Sequence, residues 1–255
     1  MIRGTILLLA AALCAAHAET PLPERRSGYE FMGAQTRAMQ DDDATGPAVL
    51  WLLEGEELWN RKAGAASKAC GDCHGDARES MRGVAARYPA MDAKHGRALN
   101  LDQRINACRT DRQQATPFAW ESRPLLSLSA FVARQSRGMP VEPAAGERSA
   151  QLRAAGRAEF ERRQGQLNLS CAQCHEHNWG KSLAGVRIPQ AHPTGYPLYR
   201  LEWQNLGSLQ RRLRNCMIGI RAEPYAWGAP EMIELEYYLM WRARGMKIES
   251  PAVRP

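Results

Sequence analysis

The apolar and polar positions follow a helical pattern that is laid down twice. Leu125, Leu128, Phe131 and Val132 recur at three- and four-residue spacing, and Met232, Leu235 and Leu239 do so again near the end. That period puts each set on one helix face. The predicted helices run from Ser122 to Arg137 and from Pro230 to Arg244, and Gly138 and Gly245 close them. Both stripes read as core. An earlier apolar run, Ile6 to Ala16, is of another kind. It follows Arg3 and leads into Ala16-His17-Ala18, so residues 1–18 read as a secretory signal peptide. The run is too short to span a bilayer, and no later stretch predicts membrane insertion. Leu13 is not the small residue that lipoprotein processing at Cys14 would need. Residues 19–50 are rich in proline and charge at their start and read as an N-terminal arm.

Beyond the arm, the landmarks repeat in order. Gly55-Glu56-Glu57-Leu58-Trp59 precedes Cys70 by the distance that separates Gly156-Arg157-Ala158-Glu159-Phe160 from Cys171. Gly64 and Gly165 stand equally far ahead of those cysteines. Ser80-Met81-Arg82-Gly83-Val84 answers Ser182-Leu183-Ala184-Gly185-Val186. Cys108 answers Cys216, Pro117-Phe118-Ala119-Trp120 answers Pro224-Tyr225-Ala226-Trp227, and Arg137-Gly138-Met139 answers Arg244-Gly245-Met246. A duplication with this many matched points predicts two domains, 51–146 and 147–255, divided where Pro140, Pro143 and Gly146 break structure. Each copy reads as helix, short motif, loop, cysteine-bearing helix, loop, long helix. The expected fold class is all-α: two tandem class I cytochrome c-like domains.

The short motifs are the reason for that fold. Cys70-Gly71-Asp72-Cys73-His74 and Cys171-Ala172-Gln173-Cys174-His175 are Cys-x-x-Cys-His, the attachment signature of c-type haem. Two thiols add across the two vinyl groups, and the adjoining histidine is held against the iron. A zinc site would need four ligands at closed spacing, and an oxidising compartment would not leave two bare thiol pairs reduced. The reading is two covalently bound haem c, with Cys70, Cys73, Cys171 and Cys174 as attachments and His74 and His175 as iron ligands.

Cys108 and Cys216 are left over. They could be buried thiols, a mutual disulfide, the far-side ligand of each haem, or in one case a catalytic thiol. One extra cysteine at the same place in each copy favours ligation. Met139 and Met246 are rival ligands, because methionine is the usual choice in electron-transfer cytochromes c. His95, His177 and His192 have no counterpart in the other copy and read as surface or satisfied residues. Arg211, Arg212, Arg214 and Arg221 surround Cys216. Arg212 lies one helical turn before it, where a guanidinium favours a thiolate and binds oxyanions. Arg104 holds the same offset from Cys108. The net charge of +7 loses one unit with Arg3, too small an excess to point to nucleic acid, and it suits an anionic small substrate or an acidic partner.

On these residues, above all Arg212-x-x-x-Cys216 together with the duplicated Cys108, the chain resembles the dihaem SoxA subunits of the SoxAX cytochromes of sulfur-oxidising bacteria. The resemblance covers both repeats. It implies His74/Cys108 and His175/Cys216 as the axial pairs, a persulfide on Cys216 as the active residue, and Arg212 as the substrate holder. It also implies a periplasmic L-cysteine S-thiosulfotransferase that conjugates thiosulfate to a cysteine of SoxY in the SoxYZ carrier. The monohaem cytochrome SoxX would be its heterodimer partner and electron acceptor. Two other functions fit a dihaem chain: a thiosulfate dehydrogenase forming tetrathionate, and a plain electron-transfer cytochrome.

Overall fold

The computed structural model describes residues 20–255. The predicted signal peptide and Cys14 lie outside them. The arm contains α1 (Ala34–Asp41). The first repeat then runs through α2 (Val49–Asn60), α3 (Gly71–His74), α4 (Ala77–Ser80), the hairpin β1 (Ala90–Asp92) and β2 (Arg97–Leu99), α5 (Leu101–Cys108) and α6 (Arg123–Arg134). The second runs through α7 (Glu147–Glu161), α8 (Cys171–His175), the small hairpin β3 (Ser182–Leu183) and β4 (Val186–Arg187), and the hairpin β5 (Leu198–Arg200) and β6 (Asn205–Gly207). It ends with α9 (Leu209–Gly219), α10 (Pro230–Arg242) and the strand β7 (Ala252–Arg254).

Helices carry the architecture, but the all-α expectation needs correcting. The register of β1 on β2, Ala90 opposite Leu99, recurs in β5 on β6 as Leu198 opposite Gly207. Both hairpins hand the chain to an N-cap. Asn100 caps α5 through Gln103 N, and Ser208 caps α9 through Arg211 N. Strand β7 joins the second hairpin in parallel, giving the order β6-β5-β7. Segments of two or three residues are too short for a period-two pattern to declare itself.

In each repeat the first helix crosses the last, α2 on α6 and α7 on α10. The matched glycines explain where. A Cβ on Gly55 would sit 2.3 Å from Ser127 O, and one on Gly156 would sit 2.0 Å from Glu234 O. Only hydrogen fits at these crossings, so the backbones touch. The predicted apolar faces are inside: Leu125, Leu128, Val132, Met232, Leu235 and Leu239 are all buried. Both helices stop before their predicted ends, and the chain turns through Gly138 (φ +80) and Gly245 (φ +83).

The repeats share a core. Trp51, Leu126 and Ala130 of the first pack with Tyr199, Leu206 and Val253 of the second, while Ala86 and Val141 pack with Met240, Ala243 and Ile248. Trp120 and Trp227, matched in the sequence, stack on each other with centroids 6.1 Å apart. The two Arg-Gly-Met segments also meet. Gly138 N donates to Ile248 O (2.8 Å), Ile248 N to Met139 O (2.9 Å), Val141 N to Met246 O (2.8 Å) and Gly245 N to Val141 O (2.8 Å). Met139 and Met246 therefore belong to the seam between repeats.

Candidate functional site: two cysteine–histidine cavities

In the first repeat the chain turns into α3 directly after Cys70. Trp59 Nε1 donates to Gly75 O (3.1 Å), which fixes the end of the motif against α2. Cys70, Cys73, His74 and Cys108 line one cavity of about 450 Å³, whose walls are Leu101, Ile105, Leu128, Val132, Val84 and Met81. Burial raises the Cys70 and Cys108 thiols above their ordinary values. Two thiols, an imidazole and a facing sulfur around an apolar slot are the donor set that a covalently held haem requires.

The second repeat holds the same donors in the same order. Ser170 and Gln173 form a capping box at the start of α8, which sets its direction. His175 Nδ1 lies 2.7 Å from Pro189 O. That contact makes Nδ1 the protonated nitrogen and leaves Nε2 as a free donor for a metal. Burial lowers His175 to about 4, so the ring is neutral and able to ligate. His175, Arg212 and Cys216 line a cavity of about 170 Å³ with Tyr196, Leu213, Leu239, Arg187, Arg200 and Arg254. Burial, joined by a negative charge on Cys216, pushes Cys171 up to about 12. The donor chemistry therefore fits haem in both repeats, with the second cavity the narrower.

Other sequence expectations fall out unevenly. Cys108 and Cys216 line different cavities and are not bridged to each other. Neither Met139 nor Met246 lines a cavity that holds a motif histidine. Met81, which had no role in the sequence reading, does line the first. His95 is held by Asp92 (2.8 Å) and Asp111 (3.6 Å), and buried His192 by Arg26 O (2.9 Å). Of the arginines around Cys216, only Arg212 reaches the cavity. Arg211 packs on the Trp203 ring (4.2 Å) and faces Glu121 (4.0 Å). Arg214 packs on the Trp227 ring and donates to Tyr225 O, and the Arg221 carbonyl accepts from Gln166 N.

The shared Arg offset conceals a difference. Arg104 is neutralised by Asp92 at 2.6 Å. The hairpin registers put Arg200 of the second repeat where the first has Asp92. Arg212 accordingly has no carboxylate partner among the described residues, whereas Arg200 pairs with Glu202 (2.9 Å) and Arg254 with Glu249. Two repeats built alike thus differ in the arginine one turn before the leftover cysteine: among the described residues Arg104 is paired with a carboxylate and Arg212 is not. Tyr88 and Tyr196, each followed by proline, stand equally far ahead of those cysteines. They were missed, although their equal spacing is visible in the sequence.

Two helical repeats, each carrying Cys-x-x-Cys-His with its histidine and a further cysteine lining one cavity, define a tandem c-type cytochrome. The SoxA/TsdA cytochrome c domain family matches residues 54–141 and again 155–248. The L-cysteine S-thiosulfotransferase subunit SoxA of Pseudaminobacter salicylatoxidans is 35% identical over 92% of this chain and 82% of its own length. That of Rhodovulum sulfidophilum is 35% identical over 100% and 88%. The crystal structure of SoxXA from P. pantotrophus superposes with a TM-score of 0.87 at 30% identity, over 91% of this chain and 87% of that one. The chain belongs to the SoxA/TsdA cytochrome c family, whose domain carries covalently bound haem c.

Proposed function

We propose that this chain binds two haem c, one per repeat, and is an L-cysteine S-thiosulfotransferase that oxidatively joins thiosulfate to a cysteine of a carrier protein. The observation that carries the reading is Arg212, uncompensated and sharing a cavity with Cys216, where the matching Arg104 is paired off. Cys70, Cys73, Cys171 and Cys174 would hold the haems, with His74 and Cys108 as ligands of the first iron and His175 and Cys216 of the second. Haem bound in the second repeat would supply one-electron acceptance.

The chain's own residues do the rest. Thiosulfate is a dianion, and Arg212 binds its sulfonate end through paired donors, with Arg187 and Arg200 adding to the field. The outer sulfur is thereby laid against the Cys216 sulfur, which carries the persulfide. A sulfur–sulfur bond forms there with loss of two electrons. A carrier thiolate then attacks that bond and leaves as the S-thiosulfonate. Summed over a cycle, carrier thiolate plus thiosulfate gives the conjugate and two electrons, which pass to a monohaem SoxX-type cytochrome partner. SoxYZ is the carrier. No helix among the described residues is long and apolar enough to cross a membrane. The secretory leader read in residues 1–18 would place the mature chain in the periplasm.

Arg212→Ala should lower kcat/KM for thiosulfate by about 10- to 100-fold, the value of one charge-assisted anion contact, and leave both haem spectra intact. Unchanged steady-state kinetics would remove Arg212 from the site. Met139→Leu and Met246→Leu should leave the visible spectrum unaltered and cost under about 1.5 kcal/mol in a denaturant melt. A spectral shift in either variant would return that methionine to the iron.

A further inference from the structure

Between the repeats lies a chamber of about 80 Å³ lined by Asn100, Asp102, Tyr88, Tyr196, Ser208, Gln210 and Glu236. At about 30 Å³ per water it has room for roughly two. Its two carboxyls, Asp102 and Glu236, are only 7% and 6% exposed. Asp102 accepts from Ser129 Oγ; Glu236 accepts from Gln210 Nε2 (2.6 Å) and Asn100 Nδ2 (3.0 Å). All of these are neutral donors. The charged groups around the chamber are Glu121, which accepts from Ser208 N and raises the Asp102 carboxyl, Arg211, whose guanidinium is turned toward Glu121, and the arginines that act on its tyrosines: Arg104 and Arg87 on Tyr88, and Arg212, Arg200 and Arg254 on Tyr196. No arginine or lysine side chain lines it.

The duplication supplies an internal comparison. Asp102 on α5 matches Gln210 on α9, and Ser129 on α6 matches Glu236 on α10, by the cap and glycine-crossing registers. One repeat pairs acid with hydroxyl, the other amide with acid. Hydroxyl with amide would satisfy the same hydrogen bonds with no buried charge at all. The chamber also shares walls with both haem cavities. Tyr88 and Leu101 line it and the Cys108 cavity; Tyr196 and Leu209 line it and the Cys216 cavity.

We infer that Asp102 and Glu236 form an internal proton site common to both cofactors, which takes one proton from solvent when either is reduced by one electron and returns it on reoxidation. The added negative charge in a low-dielectric surrounding raises the proton affinity of carboxyls one wall away, and their burial holds both well above the ordinary carboxylate range. Tyr88 and Tyr196 provide the polar link from each cavity. This inference rests on haem being bound in both repeats and needs nothing from thiosulfate chemistry.

Spectroelectrochemical titration of the purified holoprotein between roughly pH 5 and pH 9, without thiosulfate, tests it. The wild-type potential of at least one haem should fall as pH rises, and redox-difference infrared spectra should show a protonated-carboxyl band gained on reduction. Glu236→Gln, which keeps the shape and its hydrogen-bond acceptor, should lose that band and at least half the slope, and Asp102→Asn should lose part of it. A potential independent of pH overturns the site. So does a slope retained in both variants, which would assign the proton to haem propionates or ligands. The haem count of the same samples reports separately whether both repeats are loaded.

Discussion

Cys216→Ala is expected to abolish conjugation of thiosulfate to the carrier, by on the order of 10³-fold or more, while the protein still folds with haem attached in both repeats. In the proposed mechanism the sulfur at 216 carries the persulfide on which the new bond forms, and it lines the same cavity as His175. Nothing else among the residues lining that cavity can take over: apart from Met32, whose sulfur accepts from Arg254, they offer no other sulfur. The proposed haem attachment in this repeat, through Cys171 and Cys174, does not involve Cys216. Cys108→Ala is the control. It removes the matching sulfur from a cavity in which Arg104, the counterpart of Arg212, is already paired with Asp92, and most conjugation should survive. Mass spectrometry of the carrier after incubation with thiosulfate and an electron acceptor reads both results. Full activity without Cys216 would end the covalent mechanism, and equal loss in both variants would end the division of labour between repeats.

The second large effect belongs to the fold. Gly156→Ala adds a carbon at a point 2.0 Å from Glu234 O and 2.7 Å from the Tyr238 Cβ. Neither is a flexible side-chain end, so α7 must move off α10. Overpacking of this kind costs about 3 kcal/mol or more, which for a chain of this size lowers Tm by about 10 °C. Gly156→Leu should yield no folded second repeat. Gly55→Ala should behave like Gly156→Ala, since its added carbon meets Ser127 O at 2.3 Å. Gly33→Ala, where a Cβ meets nothing within 4 Å, should change Tm by little. Thermal melts followed by circular dichroism separate these cases. A Gly156→Ala melt matching wild type would show that the crossing is looser than its geometry.

The two motifs, the two leftover cysteines and the long apolar helices were legible because each is a local pattern with a fixed spacing. What lay hidden depends on contacts between distant segments. Met139 and Met246 look like ligands in one dimension. They become seam residues only once each Arg-Gly-Met segment has found the other. Arg211, Arg212 and Arg214 form one basic run on paper, yet helix rotation gives them three different surroundings, and only Arg212 meets the cavity. The exchange of Asp92 for Arg200 is invisible until the hairpins are registered, because strands this short leave no alternation to read. Arg187 and Arg254 reach the second cavity from a hairpin and a terminal strand that no sequence period announces.

The seam carries one more consequence. A segment that bonds to its own duplicate, Arg137-Gly138-Met139 beside Arg244-Gly245-Met246, is what a single polypeptide makes with an identical neighbour about a two-fold axis. The stacked Trp120 and Trp227 obey the same rule. The pseudo-two-fold seam is thus the surface by which two separate copies of a single repeat would dimerise, and joining them in one chain lets the halves differ in charge, as Asp92 and Arg200 do at matching hairpin positions.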